Sequence, residues 1–369
     1  MSFSVKKDVI EEGDTVILYV NFNSIHALRA QRHKRNKKGE EVEHVFQTSF
    51  GALPVKRLIG LRYGSRVELP RGYVHAMHPT PELWTMALPH RTQIIYTPDI
   101  SLIVLNLDLR PGSVVCEAGT GSGSLSHALI RRIAPSGHLH TFDFHAQRVE
   151  KAREEFGEHG LSEWVSVGQR DVCEEGFGVE GVADAVFLDL PRPWTAVGHA
   201  VKALKRSGGR ICSFSPCIEQ VQKTCTALRL AGFTDLTTSE CLQRDFLVKT
   251  FLPPAWPWGP TKIDGKEAAA KGLVSSREDG AAEVSLPKKR RVEEGVTGDE
   301  RVTDGTDRRI RVAVPQLKMP GHTGYLTFAT LLPGRVSFVP EESSVREESS
   351  VREESSAVCE MNSVESDER

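Results

Sequence analysis

The chain has seven cysteines but no Cys-x-x-Cys pair and no cysteine beside a histidine cluster. Neither a zinc site nor a disulfide framework is therefore indicated, and no metal is expected. Cys116, Cys173, Cys212, Cys217, Cys225, Cys241 and Cys359 fall mostly in predicted strands and helices, where a free thiol behaves as a small hydrophobe. There is no apolar leader at the N-terminus, and no apolar run approaches the length of a membrane span. A soluble, intracellular protein with no membrane partner is the expectation. Aromatic residues make up only 7%, yet apolar residues reach 39% of 369, enough for two packed domains. An excess of positive charge is also missing, since the formal net charge is −2. The charges are segregated, however. Residues 341–369 hold ten acids and three arginines, and without them the formal charge rises to +5. That bias is too small to identify a nucleic-acid partner unaided.

What is present is concentrated in residues 113–128. Val114, Val115 and Cys116 form a short apolar run ending in Glu117; Gly119, Gly121 and Gly123 follow at alternate positions, and an amphipathic segment opens at Ser124. This spacing predicts a buried strand, a tight turn and a helix start. Glycine lets the backbone turn sharply and lets a ligand approach, while the helix N-terminus adds free N–H groups and a positive dipole end. A dinucleotide fingerprint would read G-x-G-x-x-G. Here the pattern is E-x-G-x-G-x-G, and the acid suits an amino group and a sulfonium better than a pyrophosphate. It looks like the first motif of the Rossmann-like S-adenosylmethionine methyltransferases. The alternative is an ordinary glycine-rich turn of another α/β protein.

The following residues extend the pattern. His138–Phe144 alternates like a second strand and carries Asp143, 20 residues past Gly123, where a carboxylate can accept both ribose hydroxyls. Residues 146–156 are mostly helix formers. Trp164–Gln169 predicts a third strand, with Asp171 and Val172 beyond it to meet an adenine. Val182–Leu190 predicts a fourth strand, nearly all apolar and so buried on both faces. Gly208–Phe214 is a fifth, and 218–231 a further helix. Such alternation implies a parallel sheet with ligands at the carboxyl ends of its strands, where Glu117, Asp143, Asp171 and Asp189 all fall.

Asp189-Leu190-Pro191 suggests the chemical step. Amino-group and ring-nitrogen methyltransferases often carry Asp/Asn-x-Pro at the end of the fourth strand. A carboxylate there can hold an exocyclic amine and stabilise the charge a ring nitrogen acquires on methylation. Geometry supplies much of the remaining acceleration. The competing reading is an N-cap aspartate with proline in the first turn; beside the glycine motif, the catalytic role for Asp189 is preferred.

Longer segments resemble a known family. His78-Pro-Thr-Pro-Glu-Leu-Trp84, Pro89–Tyr96 with Asp99, Glu117–Ser124, Phe187–Trp194, Ser213–Gln220 and Gly321–Thr330 resemble the catalytic subunit of the tRNA (adenine-N1)-methyltransferase acting at position 58. The likeness covers most of 1–252 plus 320–332. It implies an α/β fold, a Rossmann-like seven-stranded methyltransferase domain preceded by a small N-terminal β-barrel-like domain. It also implies a nuclear location, tRNA as substrate, and a heterotetramer of two catalytic and two non-catalytic homologous chains. Carried onto this chain, it assigns S-adenosylmethionine contacts to Ile95, Glu117, Ala118, Gly119, Thr120, Gly121, Ser122, Gly123, Ser124, Asp143, Arg148, Asp171, Val172 and Asp189. It assigns RNA or rim contacts to Gly72, Tyr73, Gln93, Tyr96, Thr97, Ser213, Ser215, Pro216, Gln220, His322 and Thr323. Vertebrate members tend to have glutamate where this chain has Asp143, and a smaller residue where it has Arg192. The first change shortens the ribose contact by one methylene. A methyltransferase for another amine, and a non-catalytic RNA-binding paralogue, are the rival readings; intact Glu117, Gly119, Gly121, Gly123 and Asp189 argue against the second.

Flanking regions complete the organisation. Thr15–Asn21, Val42–Phe46 and Arg66–Leu69 are β-rich and turn-broken, predicting a small barrel or sandwich over 1–76. Arg29–Lys38 is a basic loop suited to phosphate contact. The methyltransferase domain is expected over 77–252 plus 318–335, its last strand Tyr325–Leu332 pairing with a strand near Leu242–Leu252. Residues 253–317 are polar, charged and poor in aromatics, which predicts a disordered insertion. Within it Pro287-Lys-Lys-Arg-Arg-Val292 looks like a nuclear localisation signal. Residues 336–369, with Ser-Ser-Val-Arg-Glu-Glu at 343–348 and 349–354, read as a disordered acidic tail.

Overall fold

The structure is a computed structural model that describes Phe3 and residues 6–36, 38–89, 91–251, 309–317 and 323–334. These fall into two units, with boundaries at Leu242 and Gly321. His322, the basic cluster at 287–292 and the acidic tail lie outside the described residues.

In the first unit the N-terminal strands are β1 (Thr15–Asn21), β2 (Ser24–Arg29), β3 (His33–Arg35), β4 (Glu41–Glu43), β5 (Val45–Thr48), β6 (Gly51–Pro54), β7 (Ser65–Leu69) and β8 (Gly72–Met77). Four of them make an antiparallel sheet in the order β2-β1-β8-β7, while β3–β4 and β5–β6 are separate ribbons. The expected strand at 42–46 is two strands broken at His44. Val16, Leu18, Leu53, Leu58, Val67 and Val74 fill the core between them. The basic stretch 29–38 includes β3, so it is a ribbon rather than a loop, and His33, Lys34 and Arg35 are exposed. On the other face of β1, Ile17 packs with Trp84, Leu88 and Ile94. Those residues belong to helix α1 (Pro81–Ala87) and the segment after it, so the N-terminal sheet is seated directly against the second layer. Thr80 caps α1 by accepting from Leu83 N, and Pro81 occupies the first turn.

The second layer alternates as the sequence predicts. Helix α2 (Thr97–Asn106) leads to β9 (Val114–Ala118), α3 (Ser124–Ile133), β10 (His138–Asp143), α4 (Ala146–Glu158), β11 (Val165–Gln169) and the short α5 (Val172–Glu175). Then come β12 (Ala185–Leu188), α6 (Val197–Ala203), β13 (Gly209–Ser215), α7 (Ile218–Leu230) and β14 (Thr234–Glu240). The strands β9 to β13 are parallel, and all of β12 is buried because helices cover both faces. Helix α4 shows how burial selects a face: Val149, Ala152 and Phe156 point inward while most of its charges stay outside.

Three further strands follow among the described residues: β15 (Phe246–Phe251) and β16 (Ile310–Pro315) in the second unit, then β17 (Tyr325–Leu331) in the first. The seven-stranded order is β11-β10-β9-β12-β13-β17-β14. This corrects two expectations. β17 pairs not with the 242–252 region but with β13 and β14. β14 reads Thr-Asp-Leu-Thr-Thr-Ser-Glu and is mostly exposed at the sheet edge, so it lacks the apolar alternation that marks a half-buried strand. Nor is all of 253–317 irregular: residues 310–315 pair antiparallel with Phe246–Phe251 to form a separate ribbon.

Candidate active site

The parallel strands end at one edge, and the chain order reverses between β9 and β12, the switch point where open α/β sheets bind ligands. A cavity of about 580 Å³ opens there. Its wall includes Glu117 from β9, the turn from Gly119 to Ser124, Asp143 at the end of β10 and Asp189-Leu190-Pro191 after β12. Gln93, Ile95, Tyr96, Arg148, Pro216, Gln220 and Thr323 also line it. A second hollow of about 320 Å³ shares Gly119, Asp143, Arg148 and Asp189 with the first and adds Asp171 and Val172. Most of the sequence-assigned residues therefore converge on two hollows that share part of their walls.

Others do not. Gly72 and Tyr73 lie on β8, away from both hollows; Gly72 packs on Phe50, and the Tyr73 ring carries the Arg66 guanidinium 3.7 Å from its centre. Ala118 is core, holding Asp189 by accepting its backbone N–H at 2.9 Å. Thr97 opens α2 without lining the cavity. Ser213 and Ser215 are buried with no hydrogen-bond partner for either hydroxyl among the described residues. Alternation along β13 puts both on the face opposite Phe214, and it is Phe214 that reaches the cavity. Sequence reasoning missed Phe214, Phe187, Thr92 and Asp99 as lining residues. Strand period alone would have found Phe214.

The turn is built by specific bonds. Asp143 Oδ2 accepts from Gly121 N (3.0 Å) and Oδ1 from His145 N (2.9 Å), so the second-strand acid braces the glycine turn from within. Ser122 Oγ accepts from Arg91 N and Thr92 N, and Ser124 Oγ donates to Ile95 O at 2.8 Å. These two hydroxyls clamp segment 91–95 across the turn. Gly119 has φ +100, and a Cβ there would overlap the carbonyl oxygen of Asp189. The close approach of the β9 turn to the β12 loop thus requires glycine.

Electrostatics set this edge apart. Glu117 is 1% exposed and accepts from Ser126 Oγ at 2.7 Å. Burial, with added repulsion from Asp189 and Asp143, pushes its carboxyl up to about 7. Asp189 lies partly open to the cavity, and its enclosure together with the Asp143 charge raises it to about 6. Among the described residues that line the first cavity, Arg148 is the one arginine or lysine, 3.8 Å from Asp143; the second hollow adds Arg170 and Arg192. Three carboxyls around one low-dielectric space with so little compensation favour a positively charged ligand. No cluster of three metal-ligating side chains occurs among the described residues.

A seven-stranded sheet of this order, with acids at consecutive strand ends beside a glycine turn, defines a Rossmann-like methyltransferase fold. An S-adenosylmethionine-dependent O-methyltransferase of Thermotoga maritima shares that fold, with TM-score 0.62 and 23% identity over 88% of this chain and 95% of that one. The tRNA (m1A58) methyltransferase TrmI of Aquifex aeolicus does likewise, at TM-score 0.58 and 20% identity over 88% and 98%. Residues 72–331 match the tRNA methyltransferase complex GCD14 subunit family, and the chain belongs to it. A curated enzyme of Cryptococcus neoformans, tRNA (adenine(58)-N(1))-methyltransferase catalytic subunit TRM61, is 40% identical over 91% of this chain and 86% of its own length.

Proposed function

We propose that this chain binds S-adenosylmethionine at the glycine turn and methylates N1 of the T-loop adenosine at position 58 of tRNA. The observation that carries this reading is the set of Glu117, Asp143 and Asp189 around one cavity whose lining offers Arg148 as its one arginine or lysine, in a member of a tRNA methyltransferase family. When bound, S-adenosylmethionine supplies an electrophilic methyl group on a sulfonium. The donor set fits it: an ammonium and a sulfonium relieve the mutual repulsion of the acids, and Asp143 stands where ribose hydroxyls would lie. Asp171 and Val172 line the second hollow and would face the adenine.

Asp189 is the residue we assign to catalysis. Its carboxylate accepts from the exocyclic amine of the target adenine and holds the adjacent ring nitrogen toward the methyl donor. It then stabilises the positive charge that the ring gains. The target base is stacked in the tRNA elbow, so it must be extruded at a cost of a few kcal/mol. Recognition through RNA shape and backbone contacts meets that cost, with Gln93, Tyr96, Pro216, Gln220 and Thr323 on the rim and the basic ribbon at 29–38 available for phosphates.

The same reading includes a non-catalytic homologous subunit in a heterotetramer, because distorting tRNA needs more contact surface than one chain offers. It also includes import to the nucleus through the cluster at 287–292. The test is methyl transfer from labelled S-adenosylmethionine to unmodified tRNA, by this chain alone and with the homologous subunit, the product base being identified by mass spectrometry. N1-methyladenosine in the T-loop, strong only with both chains, is expected. Cofactor binding without transfer in either case would move the acceptor elsewhere.

A further inference from the structure

Behind the glycine turn, on the side away from the cavity, lies a group of rings that the proposed chemistry does not use. His127 and His159 are 2% and 3% exposed, and Phe3, Trp84 and Phe156 pack around the His127 imidazole with centroids 5.0, 5.4 and 5.1 Å away. His127 Nδ1 lies 2.6 Å from the carbonyl oxygen of Gly123, and its Nε2 lies 2.8 Å from His159 Nδ1. A carbonyl oxygen only accepts, so His127 Nδ1 carries the proton and donates. Nε2 of a neutral ring then has a lone pair, and His159 Nδ1–H donates to it. Burial lowers the proton affinity of both rings, which keeps this neutral arrangement.

The acceptor in this chain is no ordinary carbonyl. Gly123 sits in the left-handed region (φ 76, ψ 14) as the last residue of the turn and the N-cap of α3. Its oxygen also receives the first helical bond, from His127 N at 3.2 Å. Gly123 makes no side-chain cap bond at that helix start, so among the described residues the imidazole is the one side-chain bond that fixes the Gly123 peptide plane. The same plane carries the Ser124 N–H at the edge of the cavity, so its orientation sets where that donor points.

We infer that His127 is a positioning residue for the cofactor cradle: through Nδ1 it locks the Gly123 peptide, while His159 only satisfies the other ring nitrogen. The inference rests on the cofactor reading given above. It separates the two ring nitrogens. Asparagine places an amide nitrogen where Nδ1 stands and keeps the Gly123 bond; glutamine reaches the Nε2 position and keeps only the His159 contact.

The experiment is calorimetric titration of S-adenosylmethionine into the full chain and its His127→Asn, His127→Gln and His159→Leu variants, with thermal unfolding of each. The expected order is His127→Asn and His159→Leu within about threefold of wild type, and His127→Gln weakened by about five- to tenfold, the worth of one buried hydrogen bond. Equal weakening in His127→Asn and His127→Gln, or affinities that simply follow the melting temperatures, would overturn the positioning role. No binding by the wild-type chain would instead overturn the cofactor reading, and this inference with it.

Discussion

Asp184 and Asp189 stand five residues apart at opposite ends of β12, and they live in different chemistry. Asp184 is held by Lys205 at 2.5 Å and accepts from Val114 N at 2.8 Å, on an open edge of the sheet. Asp189 has no cation within ion-pair distance among the described residues and faces two other carboxyls across a cavity. The first acid is satisfied and ties neighbouring elements together. The second is left with a raised proton affinity, a condition that costs stability until a cation arrives. One strand therefore shows the difference between an acid used for folding and an acid kept for a ligand.

The largest effect expected from breaking this comparison is that of Asp189→Ala. Loss of one preorganised electrostatic contact lowers kcat by about 10²–10³-fold, with a much smaller loss of cofactor affinity. Near-normal turnover would remove Asp189 from the chemistry. Gly119→Ala comes next, because its Cβ must displace the Asp189 carbonyl from a backbone conformation at φ +100. Loss of both cofactor binding and turnover is expected, and a variant that binds normally would refute the close approach. Gly121→Arg tests the same turn, since even its Cβ would lie 2.8 Å from Thr92 Oγ1. No saturable S-adenosylmethionine binding is expected.

A pH experiment sharpens the comparison further. The ratio kcat/KM, which reports the free enzyme, falls as pH drops below about 6, the value to which Asp189 is raised in the ligand-free protein. The stability sign is opposite to that of a paired acid. Because the folded-state value lies above the ordinary 3.8, the folded protein holds the proton more tightly, and stability declines as pH rises from about 4 to 6 and stays lowered above. Asp189→Asn should thus melt higher than wild type at pH 8, by of the order of 1 kcal/mol once the open side toward the cavity is allowed for, and lose that advantage near pH 4. A lower melting point at pH 8 would contradict the raised value. The smallest effect is at the other end of the strand: Lys205→Ala should cost about 0.5–1 kcal/mol and leave turnover unchanged.

The glycine turn and the four strand-end acids were legible because each depends on a local rule: apolar run, acid, glycines, helix start. Glu117, Asp143 and Asp189 needed only strand ends to be placed at one edge. Ser213 and Ser215 do not line the cavity, because a strand sends alternate side chains to opposite faces, which a motif carried over whole does not register. The serines of the turn were also taken as ligand contacts, yet Ser122 and Ser124 spend their hydroxyls on segment 91–95. No periodicity reveals a bond between residues thirty positions apart. The partner of β17 was misassigned for a related reason: the exposed edge strand β14 has no apolar signature, while Phe246–Phe251 has one and pairs with residues 310–315 instead.

By itself, then, the sequence determined the alternation of strands and helices, the place of the turn and the acids at the strand ends, since backbone conformation and burial are encoded over short windows. Only the tertiary structure decided which carboxyls share one dielectric environment, which hydroxyls are already spent, and that His127 and His159 meet behind Gly123. Those outcomes depend on distances between residues remote in the chain, and it is packing that sets such distances.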